Sequence, residues 1–564
     1  MRSLGGERKA TVRGPALRPP NGDLRPENMP TKRESHRQDR LAAALRPGPH
    51  HVGPQHSCIG HREHAKEVLP PPSNHAQRRQ DPLNTQSLAA LPQSLQALLS
   101  QFAILFRAES YRNFVTVIVG WILARGRHSV SGALRALGPD ALGNHFSATY
   151  RFFSKAKWSP DALGEELFRL LVPHFGSRVE AIIDDTLCKK SGPHIWGAGM
   201  HHDAVGSTYG RFGAAARHVA MAFGHNFVVL AVWIPLPWNL GAGVAFPVLF
   251  RLYRSKKLTP QDQYCKRTEL ARELIGIVHE WNQCYETGKN LVVLGDGEYS
   301  SKTVLRHLPE GVEFIGSMTM KAALYERPPA RKKGHKGARR KKGRRLPSPR
   351  QLAADTSVPW SWATVHIYGA KVRLLVKTLT CLWYTTRKES PVRLVVTRDP
   401  SGRLEDRAFF STDPSMPIQV VLSLFSHRWR LEVTFHDAKQ FLGLEDPQNG
   451  WWRRESESPR PKKKPGPNAK GDRGSLAAQR TAPMLFFTYS LVNLWYLQHG
   501  EPERDVARSR IQAPWYTRKR LPSFADMLGA LRWKIVAGQM EADPHLTRVS
   551  SKLEGLLGAL VRAA

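Results

Sequence analysis

Acidic residues are scarce in this chain. Only 47 Asp and Glu stand against 84 Lys and Arg in 564 residues, a net charge of +37. The excess is spread along the sequence, so one basic tail does not account for it. A chain this basic is drawn to polyanions, of which nucleic acid is the usual one. Cysteine is nearly absent: Cys58, Cys188, Cys265, Cys284 and Cys381 are all there is. Their odd number and the lack of any CxxC pair exclude a disulfide framework and read as reduced thiols. Long apolar runs are missing too. The first thirty residues hold no apolar core of signal-peptide length. The most apolar stretches, Phe227 to Trp238 and Leu485 to Leu497, are too short to span a bilayer. The expectation is a cytoplasmic protein with no membrane association.

What is present is enough for packed cores. The chain is 41% hydrophobic, with 15 Trp and 22 Phe, and its length allows two or three domains. Residues 1–90 are the exception, being rich in Pro, Arg, Gln and His without apolar periodicity, and the composition predicts a disordered basic segment. A cluster of His50, His51, His56, Cys58, His61 and His64 lies there, but its spacing fits no zinc template. Residues 91–172 show helical periodicity in short segments joined by basic turns. This suits either a helix-turn-helix-like DNA reader or a plain helical cap.

From Val179 the pattern turns to strand. Val179 to Asp185 is a short apolar run ending in two carboxylates, and Phe227 to Ile234 reads with His218 to Phe223 as a hairpin turning at Gly224. A strand at Phe246 to Tyr253, a helix at Gln261 to Trp281, a buried strand at Leu291 to Leu294, a helix at Ser301 to Leu308 and a strand at Val312 to Ile315 follow. That order is the ribonuclease H-like α/β layout, three antiparallel strands extended by parallel ones. The core would occupy 173–320, and 321–415 would be a β-strand insertion opening on a basic loop. That loop, Arg331 to Arg345, packs ten Lys or Arg into fifteen residues. A single long helix is expected from Pro417 to about Leu442 within 416–450, then a second basic, Pro-rich loop at 451–478 and helices at 479–564.

Phosphoryl chemistry with two divalent cations needs carboxylates that converge on the ions, and hard cations take oxygen ligands. Asp185 would end the first strand and Asp296 would follow the fourth. In such a sheet these strands are neighbours, so their ends meet although the residues are far apart in sequence. The long helix carries Phe425, Arg428, Glu432 and Lys439, spaced by three, four and seven residues and therefore on one face. A carboxylate flanked by Arg and Lys suits a metal ligand beside a phosphate backbone.

The pattern F-x2-R-x3-E-x6-K resembles the Y-(2)-R-(3)-E-(6)-K signature of DDE-superfamily insertion-sequence transposases of the IS-four type. Ile183-Asp-Asp-Thr186 resembles their first-aspartate motif, and Leu294-Gly-Asp-Gly-Glu-Tyr299 their second. A β-strand insertion between the second Asp and the Glu is also a feature of that group. The resemblance spans roughly 95–500. It implies that Asp185, Asp296 and Glu432 are the catalytic, metal-binding triad, holding two Mg²⁺ (or Mn²⁺) ions. Of the adjacent pair, the family's Asp directly before Thr points to Asp185 rather than Asp184, and adjacent strand residues face opposite sides, so only one can be the ligand. Arg428 and Lys439 become DNA contacts, and Phe425 stands where the family has Tyr, without its hydroxyl.

The resemblance further implies a DNA transposase acting as a homodimer on paired element ends, with no small-molecule cofactor. Lys332, Lys333, Arg339, Arg340 and Lys341 of the first basic loop are expected on the phosphate backbone. Two other readings remain: an impaired, transposase-derived DNA-binding protein, and a ribonuclease H-like nuclease without strand transfer.

Overall fold

The computed structural model describes residues 91–138, 145–191, 195–207, 219–239, 241–330, 337–448 and 472–541. The expectations for residues 1–90 with their histidine cluster, for Lys332 and Lys333, and for nearly all of the Pro-rich basic loop lie outside these.

Five helices come first: α1 (Gln93–Ser100), α2 (Ala108–Leu123), α3 (Val130–Leu137), α4 (Ser147–Ser154) and α5 (Pro160–Leu171). Their starts follow local chemistry. Ser129 caps α3 by accepting from the Gly132 N–H, and Ser159 caps α5, whose first residue is a proline that lacks the N–H a helix start leaves unsatisfied.

The sheet begins with β1 (Val179–Lys189), β2 (Gly199–His202), β3 (Met221–Pro235) and β4 (Gly243–Tyr253). The hairpin expected at Gly224 is not formed; β3 runs straight through it, and the reversal comes between β3 and β4. The glycine serves a close approach instead. A Cβ at Gly224 would stand 2.2 Å from the Cys188 carbonyl oxygen on β1. Then come α6 (Arg267–Cys284), β5 (Leu291–Gly295), α7 (Lys302–Leu305) and β6 (Glu313–Met318). β1 pairs antiparallel with β3 and parallel with β5, and β5 pairs parallel with β6. This is the expected ribonuclease H-like layout.

After β7 (Leu324–Tyr325), β8 (Arg345–Leu346) and α8 (Pro349–Ala354), the chain forms β9 (Ser361–Ile367), β10 (Ala370–Cys381), α9 (Tyr384–Arg387), β11 (Val392–Arg398) and β12 (Arg407–Ser411). The sequence reading missed β9, whose alternation places Ala363 and Val365 inward. The inserted strands do not stand apart. β12 pairs with β6, so one sheet runs β2-β3-β1-β5-β6-β12-β11-β10-β9, with β4 also on β3.

The single helix expected near 417–442 is two, α10 (Ile418–His427) and α11 (Trp429–Phe441). They meet in a tight turn where the Arg428 N–H bonds the Phe425 oxygen three residues back. Arg428 keeps helical angles, φ −52° and ψ −38°, so the face that carries it and Glu432 continues across the break.

The last described elements are α12 (Asp472–His499), α13 (Pro502–Gln512) and α14 (Phe524–Glu541). α12 is buried on nearly every side from Ala482 to Tyr496, and α4 and α5 pack against it. Its Arg480 donates to the carbonyls of Phe153, Ala156 and Trp158, groups that the end of α4 leaves unpaired. The N-terminal helices, the sheet and the C-terminal helices thus share one hydrophobic core, from Leu91 to Ile535. Among the described residues no helix is long and apolar enough to cross a membrane.

Candidate active site

The site originates in a mismatch of strand lengths. β5 ends at Gly295, opposite Ile183, while β1 continues to Lys189 on its pairing with β3 alone. Asp184 and Asp296 are the next residue on each strand, so both fall where β5 leaves the sheet. The sequence reading ended β1 at Asp185; it runs four residues further because β3 pairs with it as far as Gly224. Residues 439–448 cover the edge so exposed. Lys439 Nζ donates to the Leu187 oxygen at 2.8 Å, and the Lys189 N–H donates to Glu445 at 3.0 Å.

Alternation along β1 sends its two aspartates to opposite faces. Asp184 faces α10 and α11. Arg428 Nη1 donates to its Oδ2 at 2.8 Å, and Arg428 Nη2 lies 2.6 Å from Glu432 Oε1. One guanidinium therefore joins a strand carboxylate to a helix carboxylate. Its own burial opposes its charge, but Asp184, Glu432 and Asp296 outweigh that and hold its pKa above the usual arginine value. Phe425 lies below, its ring 4.7 Å from Phe409 of β12 and 5.8 Å from the Arg428 guanidinium. The inserted strands thus help to seat Arg428.

Asp185 faces α6. Asn226 Nδ2 donates to it at 2.8 Å, Arg267 Nη1 at 3.0 Å and the Tyr299 hydroxyl at 3.1 Å. Arg267 also pairs with Glu298 at 2.8 Å. Burial, with Asp185 and Asp184 nearby, holds the Tyr299 phenol well above its ordinary pKa, so it stays a donor. Of the expected triad, Glu432 contacts Arg428, Asp296 acts on Arg428 and on Asp184 through its charge, and the aspartate that Arg428 contacts is Asp184, whereas Asp185 is held by Asn226, Arg267 and Tyr299.

Asp296 is fixed by its own turn, where Oδ1 accepts the N–H groups of Glu298 at 2.9 Å and Tyr299 at 3.3 Å. Asp184 is the most perturbed carboxyl here. Burial, with Asp296 and Asp185 adding, pushes it up to about 8 against the opposing pull of Arg428. Among the described residues no three His, Cys, Asp or Glu side chains stand as a ready cation site, because the arginines engage the carboxylates. The donor set is nonetheless all carboxylate oxygen, the type a hard divalent cation takes.

The remaining candidates fall in several places. Lys439 is taken up by the β1 edge and by Glu445 at 3.7 Å. Phe425 is packed rather than presented. Arg339, Arg340 and Lys341 are exposed, while Lys342 lies 4.0 Å over the Tyr325 ring. The sequence reading missed Asn226, Arg267 and the pair of half-buried His427 with buried Glu180, 2.6 Å apart, the His427 ring stacked on Trp233. No short motif marks them; strand register places Asn226 and helix packing places Arg267 and His427.

A protein-family model described as "DDE superfamily endonuclease" matches residues 97–387, a little over half of the chain. The matched span contains Asp184, Asp185, Arg267 and Asp296, and it ends before α10. No curated protein matches the chain.

Proposed function

The chain belongs to the DDE superfamily of endonucleases, and on that premise we propose that it is the transposase of a prokaryotic insertion sequence of the IS-four type. The observation that carries this reading is Arg428 joining Asp184 to Glu432 beside Asp296. Carboxylates from β1 and α11 share one guanidinium, and the charge of Asp296 in the β5 turn acts on it as well, a set of oxygen donors of the kind that metal-dependent phosphodiester cleavage uses.

Asp184, Asp296 and Glu432 would hold Mg²⁺ or Mn²⁺, two ions in all, which when bound activate the attacking oxygen and offset charge at phosphorus. The chain's own residues prepare the rest. Arg428 is planar, permanently charged and already at the centre of the carboxylates. Once they take a cation, it is placed to donate to a phosphate oxygen of the strand being cut. Asp185, held by Asn226, Arg267 and Tyr299, fixes the rotation of β1 and so the direction of Asp184. Arg339, Arg340, Lys341 and the other basic side chains of 331–345 would track the phosphate backbone.

The reaction read here is hydrolysis at the element's end, freeing a 3′-hydroxyl. That hydroxyl then displaces another at a phosphodiester of target DNA. Two copies would act on paired ends, in the cytoplasm at the nucleoid.

The test is cleavage of DNA carrying the inverted repeats that flank the gene, with Mg²⁺ and an unrelated target duplex. Joined products are expected, and Asp296→Ala should abolish them while leaving end binding nearly intact. Cutting without joining would support a ribonuclease H-like nuclease instead. Binding without cutting would support an impaired relative. Normal cleavage by Asp296→Ala would sink the site.

A further inference from the structure

The C-terminal helices carry a second concentration of positive charge, which the carboxylate site does not use. α13 and α14 are joined by an exposed segment in which Trp515 and Tyr516 are 74% and 54% exposed, and Ile511 in the last turn of α13 is 78% exposed. Arg508, Arg510, Arg518, Lys519 and Arg520 stand in the same stretch, and no Asp or Glu occurs between Asp505 and Asp526. Large aromatic rings left in water gain nothing from folding, and monomeric proteins keep such patches small.

This segment is fastened, and its rings are left outside by the fastening. The Tyr516 N–H bonds the Ala513 oxygen at 2.9 Å and the Lys519 N–H bonds the Tyr516 oxygen at 3.1 Å, giving two successive turns. Lys519 Nζ reaches back to Ser509 Oγ on α13 at 3.0 Å and forward to Asp526 on α14 at 2.6 Å. Arg510 donates to the Lys519 carbonyl. The Trp515 and Tyr516 rings lie 6.1 Å apart at 58°.

Behind the segment, between α13 and α14, lies a cleft lined by Arg125, Phe441, Arg508, Gln512, Arg532 and Trp533. The Arg508 guanidinium lies 5.3 Å from the centre of the Trp533 ring. The two acids at the cleft are already engaged. Asp505 accepts from the Tyr496 hydroxyl at 2.8 Å and pairs with Arg508 at 3.8 Å, and Asp526 takes Lys519. Burial, with Arg125 adding, lowers Arg532 to about 10, which leaves it charged at neutral pH.

Exposed aromatic faces in a basic stretch, here Tyr516 with the Lys519 ammonium 5.9 Å from its ring centre, and with the local acids already paired, are what an unpaired nucleic-acid strand takes. Its bases stack on rings and its phosphates need cations. We propose that Trp515 and Tyr516 are a stacking platform for unpaired bases of DNA, with the exposed Arg518 and Arg520 on the adjoining phosphates. This rests on the reading of the chain as a DNA-processing enzyme. It adds a site for strand that is already open, distinct from the carboxylates that cut.

The experiment uses the full chain carrying Asp296→Ala, so that binding is read without cutting. A single-stranded oligonucleotide containing 2-aminopurine and a duplex of the same sequence are titrated. Trp515→Ala with Tyr516→Ala should weaken the single strand about tenfold to a hundredfold, abolish the change in 2-aminopurine fluorescence, and move the duplex less than about twofold. Trp515→Phe should keep most of the affinity, because it keeps a face to stack on. Arg518→Ser with Arg520→Ser should weaken the strand and flatten its salt slope by about 1.4, at roughly 0.7 per phosphate.

Unchanged strand affinity in the double aromatic variant, with the parent still binding DNA, overturns the platform and leaves the transposase reading standing. A parent that binds neither DNA removes that reading itself. A variant that alters the oligomeric state in sedimentation but not strand affinity shows a contact between copies of this chain, and also overturns the platform.

Discussion

Arg428 donates to Asp184 at 2.8 Å from a helix that starts more than 230 residues further along the chain. That contact marks the face of the sheet on which the helix carboxylate Glu432 meets the strand carboxylate. The neighbouring Asp185 is turned to α6, where Arg267 holds it.

The two aspartates should therefore separate in mutants. Asp184→Asn is expected to remove detectable Mg²⁺-dependent cleavage while leaving the fold intact. Asp185→Asn loses charge-assisted bonds from Arg267, Asn226 and Tyr299 and should cost ~1–3 kcal/mol of stability, with cleavage reduced but measurable. Urea unfolding alongside a cleavage assay reads both. Full activity in Asp184→Asn with none in Asp185→Asn would reverse the assignment.

A divalent cation should stabilise the protein through the same carboxylates. At a hundred times its dissociation constant, a ligand of the folded state alone adds about 2.7 kcal/mol. Mg²⁺ should thus raise the melting temperature, EDTA should reverse the rise, and Glu432→Gln should shrink it. A rise of the same size in both Glu432→Gln and Asp184→Asn would place the cation elsewhere.

The exposed part of the first basic loop should show in the salt dependence of DNA binding. Changing Arg339, Arg340 and Lys341 to Ser should flatten the slope of log affinity against log salt by roughly two to three units, at about 0.9 per phosphate. The loss should be equal for specific and random duplex, because phosphate contacts carry no sequence information. An unaltered slope would mean that the loop never meets DNA.

Gly224→Ala tests the account of β3. The added Cβ would stand 2.2 Å from the Cys188 oxygen, so β1 and β3 would have to separate. A loss of ~1–3 kcal/mol is expected by chemical unfolding. A harmless substitution would show that the two strands have room to spare.

His225 should make stability depend on pH. It is fully buried, with Nε2 at 2.8 Å from the Trp196 oxygen, and burial holds its pKa down to about 4. Unfolded, the ring would titrate near 6.5. Between about 6.5 and 4 the unfolded chain binds more protons than the folded one, so stability falls as pH falls through that window. His225→Phe should flatten that part of the profile, and equilibrium unfolding at pH 7 and pH 4.5 measures it. An identical pH dependence in the variant would remove His225 as the cause.

Much of the site was legible because it is local. A strand run ending in Asp-Asp, a buried strand running into Gly-Asp-Gly, and Arg428 and Glu432 one helical turn apart are patterns that backbone geometry alone lays out. Even the interruption at Arg428 leaves that face intact. Arg267 was not legible. It lies 82 residues from Asp185 in an ordinary amphipathic helix, and nothing in its neighbours announces a partner. Gly224 misled, because a glycine needed for a turn and one needed for close strand approach look the same in sequence.

The sequence by itself determined the chemistry available: carboxylates on one strand and just past another, a helix face carrying Arg428 and Glu432, and a strong excess of basic side chains. Those properties belong to residue types and to periods of two and 3.6, which short stretches of chain fix alone. Only the tertiary structure decided which aspartate meets the helix, that Lys439 serves the edge of β1, that Phe425 is packed under Arg428, and that Trp515 and Tyr516 stay in solvent. Each of these depends on which face a distant element covers. A side chain's partners across a sheet are set by register and packing, and neither is encoded within reach of the residue itself.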